Sequence, residues 1–138
     1  MVVRDSQGGV IAVLSEKLHL VSSAAEAEAL AFRRAPKFAS EVGFFYVEFE
    51  SDAFQIINTF GDMEPNLLPF GHILEEARSN AASLRSHSFH HAFRECNVVA
   101  DAVAKYAMSI ADLVVWLDEP PSFIVHLIRM DQHFIIHE

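Results

Sequence analysis

The chain is poor in cysteine and in basic residues, and each shortage excludes a class of protein. Of its 138 residues, only Cys96 is a cysteine, which excludes an intramolecular disulfide and a zinc site built from several thiolates. Ten Lys and Arg residues stand against nineteen Asp and Glu, giving a formal net charge of −9. Because cationic side chains usually supply the non-specific affinity for nucleic acid, this balance argues against a strong stand-alone nucleic-acid binder. It does not exclude an enzyme whose metal ions neutralise the substrate locally.

Long apolar runs are also absent. No run reaches the roughly 18 residues that a membrane span needs, and the N-terminus has no apolar signal core, so nothing indicates secretion. Hydrophobic residues make up 51% of the chain and charged residues 21%, which is a globular balance. The length fits one domain. We expect a domain over residues 1–110 and a C-terminal extension over 111–138 that packs on it.

The periodicity of apolar residues predicts a strand hairpin followed by helix, strand, helix, helix, strand and helix, which is an α/β fold with a mixed sheet. A capping box of Ser23 and Glu26 should start the first helix, and Pro36 should kink it or end it early. The predicted strands span 2–3, 10–14, 18–21, 44–50 and 88–93, the helices span 23–43, 52–60, 71–85 and 97–108, GDMEPN forms a loop, and apolar segments follow at 113–117 and 123–128.

Three carboxylates stand out from this pattern, each with a structural alternative. Glu28 shares a helix face with small residues of buried type, although a solvated Glu on a helix rim is favoured by periodicity alone. Asp52 follows the strand FFYVEFES, at the strand end where α/β sheets bind ligands, but taken alone a cap of the next helix is favoured, with Gln55 three residues on. Asp101 lies in the first turns of a helix, where a surface Asp is favoured by the helix dipole.

Three histidines form a second cluster, His87, His90 and His91. Period-2 spacing places His87 and His91 on one face of the predicted strand and His90 on the other. Histidines on strands more often pack or face solvent than act in catalysis, so the cluster alone is a weak metal signal.

Several segments together resemble the ribonuclease-H-like domain of plant reverse-transcriptase-like proteins. AEAEALAFRRA is similar to a family helix with an Ala-Glu-Ala-Leu-Ala core, and YVEFESDAFQIIN to a strand ending in Glu-Ser-Asp. HAFRECNVVADAVAKYA matches a pattern of His, Arg-Glu, Asn, Ala-Asp and Ala-Lys at eight fixed positions, which makes it the most specific of the three. VVRDSQGG resembles the turn after the family's second strand, and VWLDEPPSFI its C-terminal extension.

The resemblance implies hydrolysis of RNA in RNA–DNA hybrids with Mg²⁺ or Mn²⁺, and therefore a nucleic-acid partner. Residue by residue, it implies that Glu28, Asp52 and Asp101 are metal ligands and catalytic acids, and that His91 assists product release. It also makes Asn97 and Arg94 candidate substrate contacts, although Asn97 could be only a helix cap. We expect the three carboxylates to converge at one end of the sheet, with His91 at the rim.

The sequence departs from the family pattern at its start. The family's first, central strand carries an Asp-Gly pair whose Asp bridges two metals, whereas Met1 already stands in the family's second strand. We therefore expect a truncated start, a sheet lacking that strand, and poor hydrolysis that an added N-terminal Asp-Gly strand would restore. Two other interpretations remain: a catalytically inactive remnant that binds nucleic acid weakly, and an interaction module whose acidic groups are only surface charge.

Overall fold

The computed structural model describes residues 1–61 and 70–137, and among them it confirms the mixed α/β class. Antiparallel and parallel strands both occur, and helices flank them. Most of the predicted GDMEPN loop lies outside the described residues. The elements are β1 (Val2–Arg4), β2 (Val10–Glu16), α1 (Ala24–Glu41), β3 (Tyr46–Ser51), α2 (Phe54–Gly61), α3 (Gly71–Ala82), β4 (Ser86–His91), α4 (Val98–Tyr106), β5 (Leu113–Leu117) and α5 (Ser122–His137).

The chain divides into two compact units, and the first combines Met1–His19 with Arg94–Glu138. Its sheet is antiparallel in the order β1-β2-β5. The turn between β1 and β2 is held by Asp5, whose Oδ1 accepts hydrogen bonds from the N–H groups of Gln7 (2.9 Å) and Gly9 (2.8 Å). An Asp that bonds the backbone two residues ahead is typical of a tight turn, so the predicted turn in RDSQGG is confirmed.

The core of this first unit joins the sheet to two helices. Val13 of β2 packs with residues of α4 and α5, all of them buried. The predicted apolar segment 113–117 forms β5, which pairs with β2 from Ala12↔Leu117 to Glu16↔Leu113. The residues after 110 therefore supply both a strand and part of a core, while a domain boundary at 110 stays a prediction. The cluster consists of Val13, Val99, Val103, Ile124 and Ile128.

The second unit, Leu20–Phe93, contains the parallel pair of β3 and β4. Phe89 of β4 lies against the buried cluster and stacks on Phe32 of α1, with ring centroids 5.6 Å apart. The residues predicted to face inward from the third predicted helix segment, Ile73, Leu74, Ala77 and Leu84, are all buried. The cluster that holds the unit together is Ala29, Phe32, Ala53, Ile56, Ile73, Leu74 and Ala77.

Helix α1 begins as predicted but does not end early. The Ser23 side chain accepts a hydrogen bond from the Glu26 N–H (3.1 Å), while the Glu26 carboxylate accepts from the N–H and hydroxyl of Ser22. The two hydrogen bonds from Ser22 lower the pKa of the Glu26 carboxyl, the Ser22 hydroxyl contributing most. Pro36 is buried inside the helix, which continues to Glu41. Of the two outcomes predicted for Pro36, the early end is therefore wrong, while the kink stays a prediction. Tertiary packing here outweighs the local cost of an interior proline.

One predicted strand is absent. Residues 18–21 contain apolar side chains but form no strand, and Leu20 is fully exposed with φ +58°. A positive φ is unusual for a bulky residue and is incompatible with an extended strand. A short apolar run becomes a strand only when a neighbouring strand pairs with it, and the sequence alone does not show whether such a neighbour exists.

Candidate functional site

The parallel pairing of β3 and β4 brings two of the predicted site residues to the same end of the second unit. Ser51 at the end of β3 is in register with His91 at the end of β4, and the Ala92 N–H donates to the Ser51 carbonyl (2.9 Å). Asp52 follows Ser51 directly. Asp52 and His91 therefore both stand at the carboxyl ends of neighbouring parallel strands, which is where open α/β sheets place their ligand sites.

The start of α2 sets the local conformation at Asp52. The Ala53 N–H donates to the Ser51 hydroxyl (3.1 Å), and the Phe54 N–H donates to the Asp52 carbonyl (2.9 Å). In these two contacts, Ser51 is the residue whose side chain accepts a backbone N–H. Asp52 itself is half-buried. These bonds fix the backbone on both sides of Asp52, immediately before the helix.

Glu28 lies on the exposed face of α1. Ala24 and Ala31, which share its face by helical spacing, are also exposed, and Ala35 is half-buried. The stripe of small residues is thus mainly a solvent face, with Glu28 on it, and the role of Glu28 as a metal ligand stays a prediction. Its neighbour Ala29 belongs to the same buried cluster as Ala53, the residue after Asp52. Glu28 and Asp52 are therefore each followed in the chain by a residue of the same buried cluster, within the second unit.

His91 is flanked by two phenylalanines that the sequence analysis did not single out. The rings of Phe54 and Phe93 each meet the imidazole at a centroid distance of 5.3 Å, with interplanar angles of 82° and 79°. All three side chains are exposed. We call this group the aromatic patch. The signal that would have identified it is the position of both phenylalanines, each within two residues of a predicted site residue at a strand end.

Asp101 and the candidate substrate contacts belong to the first unit. The Asp101 carboxylate forms an ion pair with Lys105, one helical turn further along α4, at 2.9 Å. Asn97 occupies the N-cap position of α4, but its side chain makes no cap hydrogen bond. The structure therefore does not show a purely capping role for this side chain. Arg94 lies in a short 3₁₀ segment, Arg94–Cys96, and is exposed.

The ligand atoms of the three predicted acids suit a hard divalent cation, but the positions of the side chains do not show a site for one. Carboxylate oxygens are the ligands that Mg²⁺ prefers, and Glu28, Asp52 and Asp101 supply them. Within residues 1–61 and 70–137, however, no three His, Cys, Asp or Glu side chains gather into a group that could hold a metal ion. Asp52 and Asp101 also belong to different units. The convergence of the three carboxylates therefore stays a prediction.

Comparison with known proteins identifies one family. A family model described as reverse transcriptase-like matches residues 1–107. No curated protein matches the chain, and no solved structure does either. In the part of the chain that the structure describes, no helix is both long and apolar enough to cross a membrane.

Proposed function

The chain belongs to the reverse transcriptase-like family, which is ribonuclease-H-like, and on that premise we propose that it hydrolyses the RNA strand of RNA–DNA hybrids. The match over residues 1–107 supports, at the level of the family, a hydrolase function related to nucleic acid. The observation that supports the finer proposal is the register of β3 and β4, which places Asp52 and His91 at one end of a parallel strand pair.

In this proposal, Glu28, Asp52 and Asp101 hold Mg²⁺ or Mn²⁺. Such a cation, when bound, stabilises the charge on the attacking and leaving oxygens of a phosphodiester. His91, which is exposed at the end of β4, is proposed to assist product release, and Asn97 and Arg94 to contact the substrate. Asp52 is the central residue because the hydrogen bonds around Ser51 and Phe54 fix its backbone before any ligand arrives.

The ion pair of Asp101 with Lys105 does not prevent this role. The side chains are 46% and 74% exposed, and exposed pairs of this spacing contribute only about 0.3–0.5 kcal/mol. A divalent cation near Asp101 would outcompete so weak a partner. The same ammonium group would then be released toward solvent or toward a phosphate.

A second interpretation is supported by two observations. The described residues contain no group of three metal-ligating side chains. At least four of the ten basic residues are already in ion pairs with carboxylates, namely Arg4, Arg33, Arg34 and Lys105. Both favour a catalytically inactive member of the fold that binds nucleic acid weakly, or an interaction module.

The test is a cleavage assay on a labelled RNA–DNA hybrid, with Mg²⁺ and then Mn²⁺. It uses the 138-residue chain and a version preceded by a strand with an Asp-Gly pair, which we expect to be the more active. Asp52→Asn should reduce cleavage about 100-fold or more, because catalysis depends on close positioning of the reacting groups. Asp112→Asn is the matched control, since it removes an equal charge from an exposed residue of the other unit.

The outcomes separate the three interpretations. Cleavage that Asp52→Asn abolishes and Asp112→Asn leaves intact supports the proposal. Salt-dependent binding of the hybrid without cleavage by either version refutes it in favour of the inactive nucleic-acid binder. If the chain neither binds nor cleaves the hybrid, the interaction module is the interpretation that remains.

A further inference from the structure

The aromatic patch of Phe54, His91 and Phe93 has a composition and an exposure that ordinary packing does not account for. Phe54 is 56% exposed and Phe93 is 70% exposed. Large aromatic side chains usually bury most of their surface. Here two of them flank a histidine at the carboxyl ends of β3 and β4, next to Asp52.

The geometry of the patch leaves ring faces available. Both contacts with His91 are edge-to-face, with interplanar angles near 80°. An edge-to-face contact uses at most one face of a ring, so Phe54 and Phe93 each keep at least one face that the imidazole does not cover. Together with the exposure of both rings, this provides flat apolar surfaces open to solvent.

Deepening the proposed function, on which the inference rests, we propose that the aromatic patch binds an unpaired base of the nucleic-acid substrate by stacking. Bases stack on exposed aromatic side chains in proteins that bind single strands, irrespective of sequence, because every base has a π face. The imidazole of His91 adds polar ring nitrogens between the two phenylalanines, which suits a nucleotide better than a purely apolar partner.

Stacking on an unpaired base limits the class of nucleic acid that the patch can bind. A base inside a helix is stacked on both sides and cannot present its face to a protein, whereas an overhang or a displaced strand can. The patch therefore selects hybrids that carry a single-stranded segment next to the paired region. The nucleotide would stack beside Asp52, so the preferred cleavage position would lie near the junction.

The experiment measures stacking without catalysis. Hybrids with a single-stranded RNA overhang carry the fluorescent base 2-aminopurine at the first unpaired position, and EDTA removes divalent cations. Fluorescence titration gives the affinity of the full chain for this probe and for a blunt hybrid. Phe93→Leu should weaken binding of the overhang probe roughly 10-fold and leave the blunt hybrid unchanged. Phe93→Trp, which restores an aromatic face, should retain the affinity.

The control variant is Tyr46→Leu. Tyr46 is 72% exposed and stands at the opposite end of β3, roughly 17 Å from the patch for a six-residue strand. It should leave both affinities unchanged. Equal losses in Phe93→Leu and Tyr46→Leu, or an equal loss for blunt and overhang hybrids, would overturn the proposal, as would failure of the wild-type chain to quench the probe. Metal-dependent cleavage of blunt hybrids in that last case would show that the hydrolase function stands and only the stacking site fails.

Discussion

Ser15 offers a sharp test of how the first unit positions the helix that carries Asp101. It is the buried polar residue of β2, 2% exposed, and its hydroxyl donates to the Val103 carbonyl of α4 at 2.9 Å. The end of α4 tightens, because the Ala107 N–H donates to the carbonyls of Ala104 and Lys105. The Val103 carbonyl lies near this end of the helix, and the Ser15 hydroxyl supplies a hydrogen bond to it.

Ser15→Ala removes this donor and leaves the Val103 carbonyl in a buried site. A typical intramolecular hydrogen bond contributes about 0.5–1.5 kcal/mol, whereas leaving a buried acceptor unsatisfied costs about 1–3 kcal/mol. The cavity is small, since only one oxygen is lost, so we expect the free energy of unfolding to fall by about 2 kcal/mol. For a chain of this size, the corresponding decrease in Tm is roughly 6–10 °C.

The assay is urea unfolding followed by the fluorescence of Trp116, the single tryptophan, which packs against the same core. Ser109→Ala is a matched control, because the Ser109 hydroxyl donates to the Tyr106 carbonyl (2.8 Å) near the same helix end but in an exposed position. Water can replace that donor, so the control should change stability by less than about 0.5 kcal/mol. Equal, small effects of both substitutions would refute the argument that burial decides the cost.

Three further predictions concern stability. Burial of the Met1 ammonium lowers its pKa from 8.0 to about 6, against the opposing effect of Glu16. Between these two pH values the unfolded chain binds more protons than the folded chain. The free energy of unfolding should therefore rise from pH 6 to pH 8, by at most about 3 kcal/mol. Calorimetry of the chain and its Nα-acetylated form measures this, and an equal pH dependence in both would contradict it. Ile124→Ala should cost about 2–5 kcal/mol by opening a cavity in the first unit's core; urea unfolding and limited proteolysis measure it, and an unchanged midpoint would mean that the residues after Met108 do not stabilise the core. Ser23→Ala should lower stability by about 1 kcal/mol through loss of the N-cap of α1, which circular dichroism on heating would show, whereas an unchanged Tm would assign the helix start to packing alone.

Several features of the fold could be predicted because their causes are local. The cap at Ser23, the turn at Asp5 and the inward positions of α3 each depend on residues within a few positions of one another. The same is true of the candidate site in part. Asp52 follows its strand by one residue, so its strand-end position was visible in the chain itself.

The parts that could not be predicted depend on contacts between distant residues. The exposure of Glu28 could not be decided from the sequence, because a stripe of alanines is compatible with either a buried or a solvated face. Phe93 is two residues from His91, but Phe54 is far from both in the chain, and only the parallel register of β3 and β4 brings its ring to His91.

The sequence by itself determined the order of the elements from β1 to α4, the family and the identity of the candidate acids, since these follow from short-range spacing and fixed motifs. Only the tertiary structure decided that α1 continues through Pro36, that residues 18–21 form no strand, and that β5 pairs with β2 across about a hundred residues. The physical reason is the same in each case. Burial and strand pairing contribute free energies comparable to or larger than local preferences, and their partners are chosen by the folded chain as a whole.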